Sequence, residues 1–375
     1  MSRRWTPAAF TVIATLTSAV SGQTPPAPGS RIQNANPAPR SSKSEARRAW
    51  SAPRTPWGDP DLQGTWSTDD MRSVPMQRPE QLAGRAELND EEFAQRAASQ
   101  AKAKEQERNR STGTAFGFDV GFRAFRQTSI VVEPADGRIP PLTPEAQQRT
   151  ARVTAQRSTA PASWEDRSFY DRCITRGVLG SALPVIYGNG NEILQTPGYV
   201  AITYEMVHDT RIIPLDGRSH VSPKMRLYLG DARGHWENNT LVVETTNFKG
   251  NTTGAGPNGG GTPASEALRL VERFTRVADD RIDYEVTIDD PQTYTRPWKI
   301  LLPFTTQPGY QVLPYECHEG NLAIANILSA ARAEDRAAAD ALKKGLPPPP
   351  SSAWQGNEVN GAGAPPAPPP GGQQR

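Results

Sequence analysis

The stretch 208–211 reads His-Asp-Thr-Arg and places an imidazole, a carboxylate and a guanidinium side by side. The surrounding pattern puts this stretch at the end of a strand, before a turn. An imidazole beside a carboxylate suits a general acid or base near neutral pH. The alternative is a structural polar cluster that satisfies hydrogen bonds at the strand end. His208, Asp209 and Arg211 are therefore candidate catalytic residues.

A second histidine–carboxylate pair, His318 and Glu319, directly follows Cys317. If Cys317 forms a disulfide with the other cysteine of the chain, the pair comes close to Arg172 and Arg176. His318 and Glu319 are thus further candidate catalytic residues. The alternative is a rigid corner held by salt bridges.

Polar and aromatic residues on predicted strands are candidates for lining a binding site. Glu244 and Glu272 each alternate in phase with apolar residues. If those faces point inward, burial raises the pKa of the two carboxyl groups. The alternative is that the faces point outward, or that the carboxylates pair with Arg269 or Arg273. The other candidate ligand-binding residues are Tyr187, Asn189, Tyr284 and Trp298.

Motifs for metal and cofactor binding are missing from the sequence. The four histidines, at 208, 220, 235 and 318, form no His-x-His or His-Glu-x-x-His pattern, and no Cys-x-x-Cys occurs. The glycine-rich stretch 254–261 lacks the Gly-Lys-Ser/Thr ending of a phosphate-binding loop. No Gly-x-Ser-x-Gly elbow is present, which disfavours a familiar serine hydrolase. We expect no metal and no cofactor.

The elements that must position these residues are mostly strands. The predicted strands of the main region span 192–196, 199–206, 210–215, 241–248, 268–277, 281–288, 298–304 and 311–317. Many consecutive antiparallel strands with short turns predict a meander that closes into a barrel, because closure removes exposed edges. The alternative is a β-sandwich. The fold class is therefore mainly β, with peripheral helices.

The remaining elements are predicted to surround this meander. They are a first strand at 61–67, a helix from 89 to about 110, a strand at 127–133, a helix opening at 143–145 and a helix from 321 to 345. We expect one domain over 56–345. Within it, 56–190 wraps the meander of 191–317, and 321–345 packs on it.

The two ends of the chain have the composition of unfolded segments. Residues 1–22 combine a basic start, a short apolar run and small residues, as in a secretory signal peptide. Residues 23–55 predict a disordered linker, and 346–375 a disordered proline-rich tail. Export to the periplasm or the medium would favour a disulfide between Cys173 and Cys317. Two separate buried thiols are the alternative.

The near-equal numbers of basic and acidic residues bear on which class of molecule the protein binds. Forty-two Lys and Arg stand against 40 Asp and Glu, for a formal net charge of +2. A nucleic-acid binder needs a basic face, so this class is disfavoured. No later stretch of about 20 apolar residues occurs, so we expect no membrane span. We expect a monomer whose partner is a small molecule.

Several blocks in one order resemble a family of exported bacterial proteins of unknown function, over roughly 50–335. The blocks are TPWGDPDLQG at 55–64, DGRIPPLTPEA at 136–146, DRCITRG at 171–177, EMVHDTRIIPLDGR at 205–218, VERFTR at 271–276 and CHEGN at 317–321. The resemblance implies a shared fold and export, and carries no activity or catalytic residue. Leu179 departs from the family, which often has Pro there. The Gly-Thr-Trp at 64–66 is similar to the first strand of lipocalins and favours a lipocalin-like barrel.

Three functions fit these patterns. The first is an exported barrel that binds a small, largely apolar or aromatic ligand. The second is a periplasmic lyase, isomerase or hydrolase that uses His208 and Asp209 as an acid–base pair. The third is a cell-envelope interaction protein whose tails carry the function. Convergence of His208, Arg211 and a strand carboxylate on one cavity would separate the first two.

Overall fold

The computed structural model describes residues 50–108, 123–157, 159–185, 187–307, 309–312, 315–319 and 321–349. The predicted signal peptide 1–22 lies outside these residues, as does most of the predicted linker and tail. The strands are β1 Gly64–Ser67, β2 Val131–Glu133, β3 Gly190–Thr196, β4 Tyr199–Tyr204, β5 Thr210–Pro214, β6 Asp231–Glu237, β7 Thr240–Thr246, β8 Arg269–Ala278, β9 Arg281–Asp289 and β10 Trp298–Thr305.

These strands form one antiparallel sheet that nearly closes into a barrel. The order is β5-β4-β3-β1-β10-β9-β8-β7-β6, with β2 added on β10. The two end strands approach each other at Gly234 of β6, where a Cβ atom would lie 2.9 Å from Cγ2 of Ile213 on β5. Glycine leaves room there for the side chains of Ile213 and Leu215, which a larger residue would have to displace. The predicted barrel is confirmed, and the sandwich is not the architecture.

Alternation along the strands determines which side chains fill the barrel. On β9, Ile282, Tyr284, Val286 and Ile288 are buried and the residues between them are partly exposed. The ring centroids of Phe274 and Tyr284 lie 4.5 Å apart. Trp66, Trp298 and Phe304 are also buried. Large side chains therefore occupy the interior, as is usual for a barrel of this size.

The sheet differs from the sequence prediction at three places. β1 and β2 belong to the segment expected to wrap the meander, and both pair with β10. β6 was not predicted, because its sequence Asp-Ala-Arg-Gly-His-Trp-Glu alternates poorly in hydrophobicity. The predicted strand at 311–317 is not a strand in its described residues.

In the part of the chain that the structure describes, four α-helices lie outside the sheet: α1 Asp90–Arg108, α2 Pro144–Arg157, α3 Gly177–Ala182 and α4 Ala323–Lys343. The predicted start of α1 is confirmed. The amide of Glu92 donates to the side chain of Asn89 at 2.9 Å, and the amide of Asn89 donates back to Glu92 at 3.0 Å. This is a capping box, which satisfies amides at the start of a helix. Among the described residues, no helix has the length and apolarity to cross a membrane.

α3 packs directly on the glycine-rich loop. A Cβ atom on Gly180 would lie 2.1 Å from the backbone nitrogen of Gly259, closer than any van der Waals contact allows. This close approach of two backbones explains glycine on both sides of the contact. The glycine-rich stretch therefore has a packing role beside α3.

Candidate functional site

A buried ion pair lies inside the barrel. Arg211 on β5 donates to Glu272 on β8 through Nη1 at 2.8 Å and Nη2 at 2.6 Å. Tyr284 also donates to Glu272 at 2.8 Å, while Tyr204 accepts from Arg211 at 3.1 Å. The hydroxyl of Thr245 accepts from Arg211 at 3.0 Å. The alternation of residues along the predicted strand did not decide whether Glu272 points into or out of the sheet. In the structure, its side chain lies inside the barrel.

This network is closed to solvent, since the side chains of Arg211 and Glu272 are 2 % and 0 % exposed. Burial lowers the pKa of Arg211, but the attraction of Glu272 and Tyr204 outweighs it and raises that pKa well above its usual value. Burial, followed by the charge of Glu272, raises the pKa of Tyr284 well above its usual value. The guanidinium is thus fixed as a cation, and its position suits a structural role more than contact with a ligand.

One end of the barrel is unusually polar. It comprises residues 67–70, 187–190, 204–210 and 305–307, which the strand register places together: Ser67 pairs with both Gly190 and Thr305. On the next strands, Asn191 pairs with Tyr204, and Thr203 pairs with Thr210. We call this region the polar end.

Asp69 is the buried centre of one network in the polar end. Its carboxylate accepts from Asn189 at 2.5 Å, Ser67 at 2.6 Å and Gln307 at 2.7 Å. Burial raises the pKa of Asp69, although these three hydrogen bonds each act in the opposite direction. The amide of Asn189 also bonds to both backbone groups of Val185. Asn189, a predicted ligand-binding residue, therefore holds the wall of the polar end in place.

Arg176 is a second buried arginine, and its surroundings differ from those of Arg211. Its Nη1 donates to the carbonyl of Gly188 at 3.4 Å, a long hydrogen bond. Within the described part of the chain, its Nε and Nη2 have no hydrogen-bond partner. Burial lowers the pKa of Arg176 to about 10, so the guanidinium is still a cation at neutral pH.

Tyrosines surround this guanidinium. Its Cζ atom lies 5.5 Å from the ring centroid of Tyr170, which hydrogen-bonds to Tyr187. Tyr187, Tyr315 and Glu205 are also close enough to act on the pKa of Arg176, which they raise against the larger effect of burial. The four side chains of the tyrosine cluster, each half-buried, are Tyr170, Tyr187, Tyr310 and Tyr315.

Glu205 joins the tyrosine cluster to the sheet. Its Oε2 accepts a short hydrogen bond from the hydroxyl of Tyr310 and one from the amide of Gly190 at 2.9 Å. A Cβ atom on Gly190 would lie 2.9 Å from that hydroxyl, so the glycine leaves room for the tyrosine. The carboxylate of Glu205 is therefore held by donors other than Arg176.

His208 and Asp209 lie at the rim of the polar end with separate partners. The exposed ring of His208 accepts a short hydrogen bond from the backbone amide of Tyr315. Asp209 accepts from the hydroxyl of Thr175 at 2.5 Å and from the backbone amide of Arg176. Burial raises the pKa of Asp209. The side chains of this predicted acid–base pair are thus each engaged by groups that position the loop.

The disulfide between Cys173 and Cys317 is confirmed, with the two Cα atoms 5.6 Å apart. It brings the stretch that carries Tyr170 and Arg176 next to the stretch that carries Tyr315. His318 and Glu319 follow the bridge and are both exposed.

Arg172 does not form the expected salt-bridged corner with His318 or Glu319. Its guanidinium lies over the ring of Trp164, 4.3 Å from the centroid, and near Phe169 at 5.1 Å. This arrangement is a cation–π contact at a partly exposed site. The catalytic roles of His318 and Glu319 stay predictions.

The other predicted ligand-binding residues are not gathered at one place. Glu244 lies on the outer face of β7 and accepts from Arg269 at 2.8 Å, one of the two arginines that parity suggested. Trp298 is buried in the barrel, with its ring 5.4 Å from Tyr294. Tyr284 belongs to the closed interior network. Of the six predicted residues, Tyr187 and Asn189 lie in the polar end.

Two further features limit the chemistry. The described residues contain no group of three or more His, Cys, Asp or Glu side chains arranged to hold a metal ion. An apolar cavity beside α3, lined by Leu179, Phe248 and Tyr294 among others, has a volume of about 20 Å³. Such a volume holds roughly one water molecule. This cavity is therefore too small for an organic ligand, whereas a second, more open and polar pocket of about 360 Å³ is lined by Arg149, Arg226 and Gln292 among others.

No protein-family model, curated protein or solved structure matches the chain.

Arg176 and the tyrosines around it were mostly missed as a site by sequence reasoning. Tyr170 and Tyr315 lie in loops, where hydrophobic periodicity gives no information. One signal was available, since Tyr170 and Arg176 flank Cys173 and Tyr315 precedes Cys317. A disulfide that joins those cysteines must bring the three side chains into one neighbourhood.

Proposed function

We propose that this protein binds a small aromatic molecule at the tyrosine cluster of the polar end. The observation that carries the proposal is a set of half-buried tyrosines beside a buried guanidinium: Tyr170, Tyr187 and Tyr315 lie near Arg176, and Tyr310 bonds to Glu205. Phenol rings offer rigid apolar faces together with hydroxyl groups, a combination suited to aromatic ligands with polar substituents.

The position of the site follows from how the barrel is filled. Its interior holds Trp66, Trp298, Phe274 and the buried ion pair, all almost fully buried. A ligand in the barrel centre would have to displace these side chains. The tyrosines at the end of the barrel are half-exposed and lie in loops, so a ligand reaches their rings without entering the packed interior.

The acid–base alternative has less support. A general base must lie within hydrogen-bond reach of the proton that it removes, and its own orientation is normally held by a partner. Asp209 is engaged by Thr175 and Arg176 rather than serving as that partner of His208. We therefore propose that this site binds a ligand, and an assay for turnover tests the acid–base alternative.

Export belongs to the same proposal. A disulfide across the site is compatible with an oxidising compartment. The sequence pattern of 1–22 and the resemblance to exported bacterial proteins agree with this location. We propose a periplasmic or secreted binding protein that meets its ligand outside the cytoplasm.

A fragment screen tests the binding proposal. The mature protein is mixed with single-ring aromatic compounds, and the melting temperature is followed with concentration. A ligand at a hundredfold excess over Kd stabilises the folded state by about 2.7 kcal/mol, which is readily detected. We expect at least one compound to raise the melting temperature, with affinity confirmed by calorimetry.

Variants then locate the site. Tyr187→Leu removes one ring of the tyrosine cluster and should weaken binding by about 2- to 10-fold, the usual scale of one aromatic contact. Tyr199→Leu is the matched control, because Tyr199 is a partly exposed strand tyrosine away from the cluster. The proposal is wrong if no aromatic compound shifts the melting temperature, or if both variants weaken binding equally.

A further inference from the structure

We propose that the aromatic ligand carries an anionic group, most simply a carboxylate, that pairs with the guanidinium of Arg176. This inference rests on the proposed function and adds the charge of the ligand. The observation behind it is a fully buried cationic side chain with two nitrogen atoms that lack hydrogen-bond partners among the described residues.

Two other buried arginines of this protein have close acceptors, and the first, Arg78, donates to the hydroxyl of Thr128 at 3.0 Å and to the carbonyl of Ala135 at 2.5 Å. The second, Arg211, forms two hydrogen bonds of 2.6 and 2.8 Å to the carboxylate of Glu272. A charge buried without such a partner is costly, and native proteins pair it. Arg176 is equally buried, yet no ion pair to a described carboxylate engages it, and its contact to Gly188 is long.

Two carboxylates near Arg176, Glu205 and Asp209, accept hydrogen bonds from other donors. Glu205 accepts from the hydroxyl of Tyr310 and the amide of Gly190. Asp209 accepts from Thr175, and from the backbone rather than the guanidinium of Arg176. The guanidinium of Arg176 therefore feels the charge of Glu205, but it is hydrogen-bonded to no carboxylate among the described residues.

The geometry of the guanidinium selects the class of anion. Its planar fork of N–H groups matches the two oxygens of a carboxylate, and low surrounding polarity strengthens the pair. Tyr170 and Tyr187 add hydroxyl groups beside this fork. A single-ring aromatic carboxylate would place its charge on Arg176 and its ring among the tyrosines.

The test uses ligands that differ in charge and little else. Benzoate is compared with benzamide, and 4-hydroxybenzoate with 4-hydroxybenzamide, by calorimetry on the mature protein. Hydrogen bonds to charged groups are worth roughly twice neutral ones, so each carboxylate should bind at least about tenfold more tightly than its amide. Equal or weaker binding of the carboxylates would overturn the inference while aromatic binding stands.

Variants assign the preference to Arg176. Arg176→Gln should abolish the preference for the carboxylate over the amide, and Arg176→Lys, which keeps the charge, should retain part of it. Arg172→Gln is the matched control, since Arg172 lies four residues away and stacks on Trp164. A preference that survives in Arg176→Gln would refute the assignment.

The two proposals fail in distinguishable ways. If neither member of a ligand pair binds, the proposed aromatic site is wrong. If the amide binds as well as the carboxylate, only the anionic class is wrong. Should Arg176→Gln fail to fold by circular dichroism, the charge comparison on the wild-type protein and on Arg176→Lys still decides the question.

Discussion

Breaking the ion pair inside the barrel should cost more stability than any surface substitution. Glu272→Gln keeps the shape of the side chain but removes the counter-ion of Arg211. Glu272 receives four hydrogen bonds, two from Arg211 and one each from Tyr284 and Thr245 at 2.8 and 3.2 Å. Removing one partner of a buried pair typically costs about 3–5 kcal/mol, because the other charge is left uncompensated.

A double-mutant cycle measures the coupling directly. Arg211→Met and Glu272→Met are made singly and together, and unfolding in urea is followed by tryptophan fluorescence and circular dichroism. The double variant leaves no unpaired charge, although Tyr284 loses its acceptor. We expect it to be less destabilised than the sum of the single variants by about 3 kcal/mol.

The matched control is the pair Arg269 and Glu244, which lies on the outer face of the neighbouring strands. Its N–O distance of 2.8 Å is similar, but its side chains are 45 % and 41 % exposed. The same cycle there should give a coupling below about 1 kcal/mol, as for other surface pairs. Additivity within about 0.5 kcal/mol at the buried pair would refute the reasoning.

Three further predictions concern the rest of the fold. The bridge between Cys173 and Cys317 closes 144 residues, so replacing both cysteines by Ser should lower the unfolding free energy by about 5 kcal/mol in urea titrations; a change below about 1 kcal/mol would contradict this. Burial raises the pKa of Asp69 above 3.8, so the folded state holds a proton that the unfolded chain releases. The stabilisation that this proton gives is complete below pH 3.8 and is lost as the pH rises through the folded-state pKa of Asp69. Asp69→Asn should therefore reduce the fall of the unfolding free energy across that pH range, and an unchanged slope would contradict the prediction. Gly180→Ala drives a methyl group into the backbone at Gly259 and should cost about 1–3 kcal/mol, whereas a melting temperature equal to wild type would show that the loop moves aside.

Much of the barrel was predictable because its strands bury one face. The strand observed as Arg281–Asp289 was predicted as 281–288, since buried and exposed residues alternate along it without interruption. The sequence of β6 lacks that signal, and its glycine is explained by the neighbouring edge strand rather than by its own sequence. β1 was recognised as a strand, but its place between β3 and β10 depends on long-range pairing that local patterns do not encode.

The site was less predictable for a related reason. The face of the sheet on which Glu272 and Glu244 lie depends on how their strands pair with neighbouring strands. The alternation of residues along each strand is compatible with either face. The environment of Arg176 depends on loops that meet only in the folded protein. The cysteines were the exception, because a chain with two cysteines predicts one specific long-range contact, the disulfide between them.

The ion pair between β5 and β8 also bears on how the barrel avoids association with other chains. β5 is one of the two end strands of the sheet, and such strands tend to pair with strands of another molecule. Arg211 points inward from this edge, toward a carboxylate contributed by β8. A charged side chain that points inward from an edge strand is one of the features by which natural sheets resist pairing with a strand of another chain.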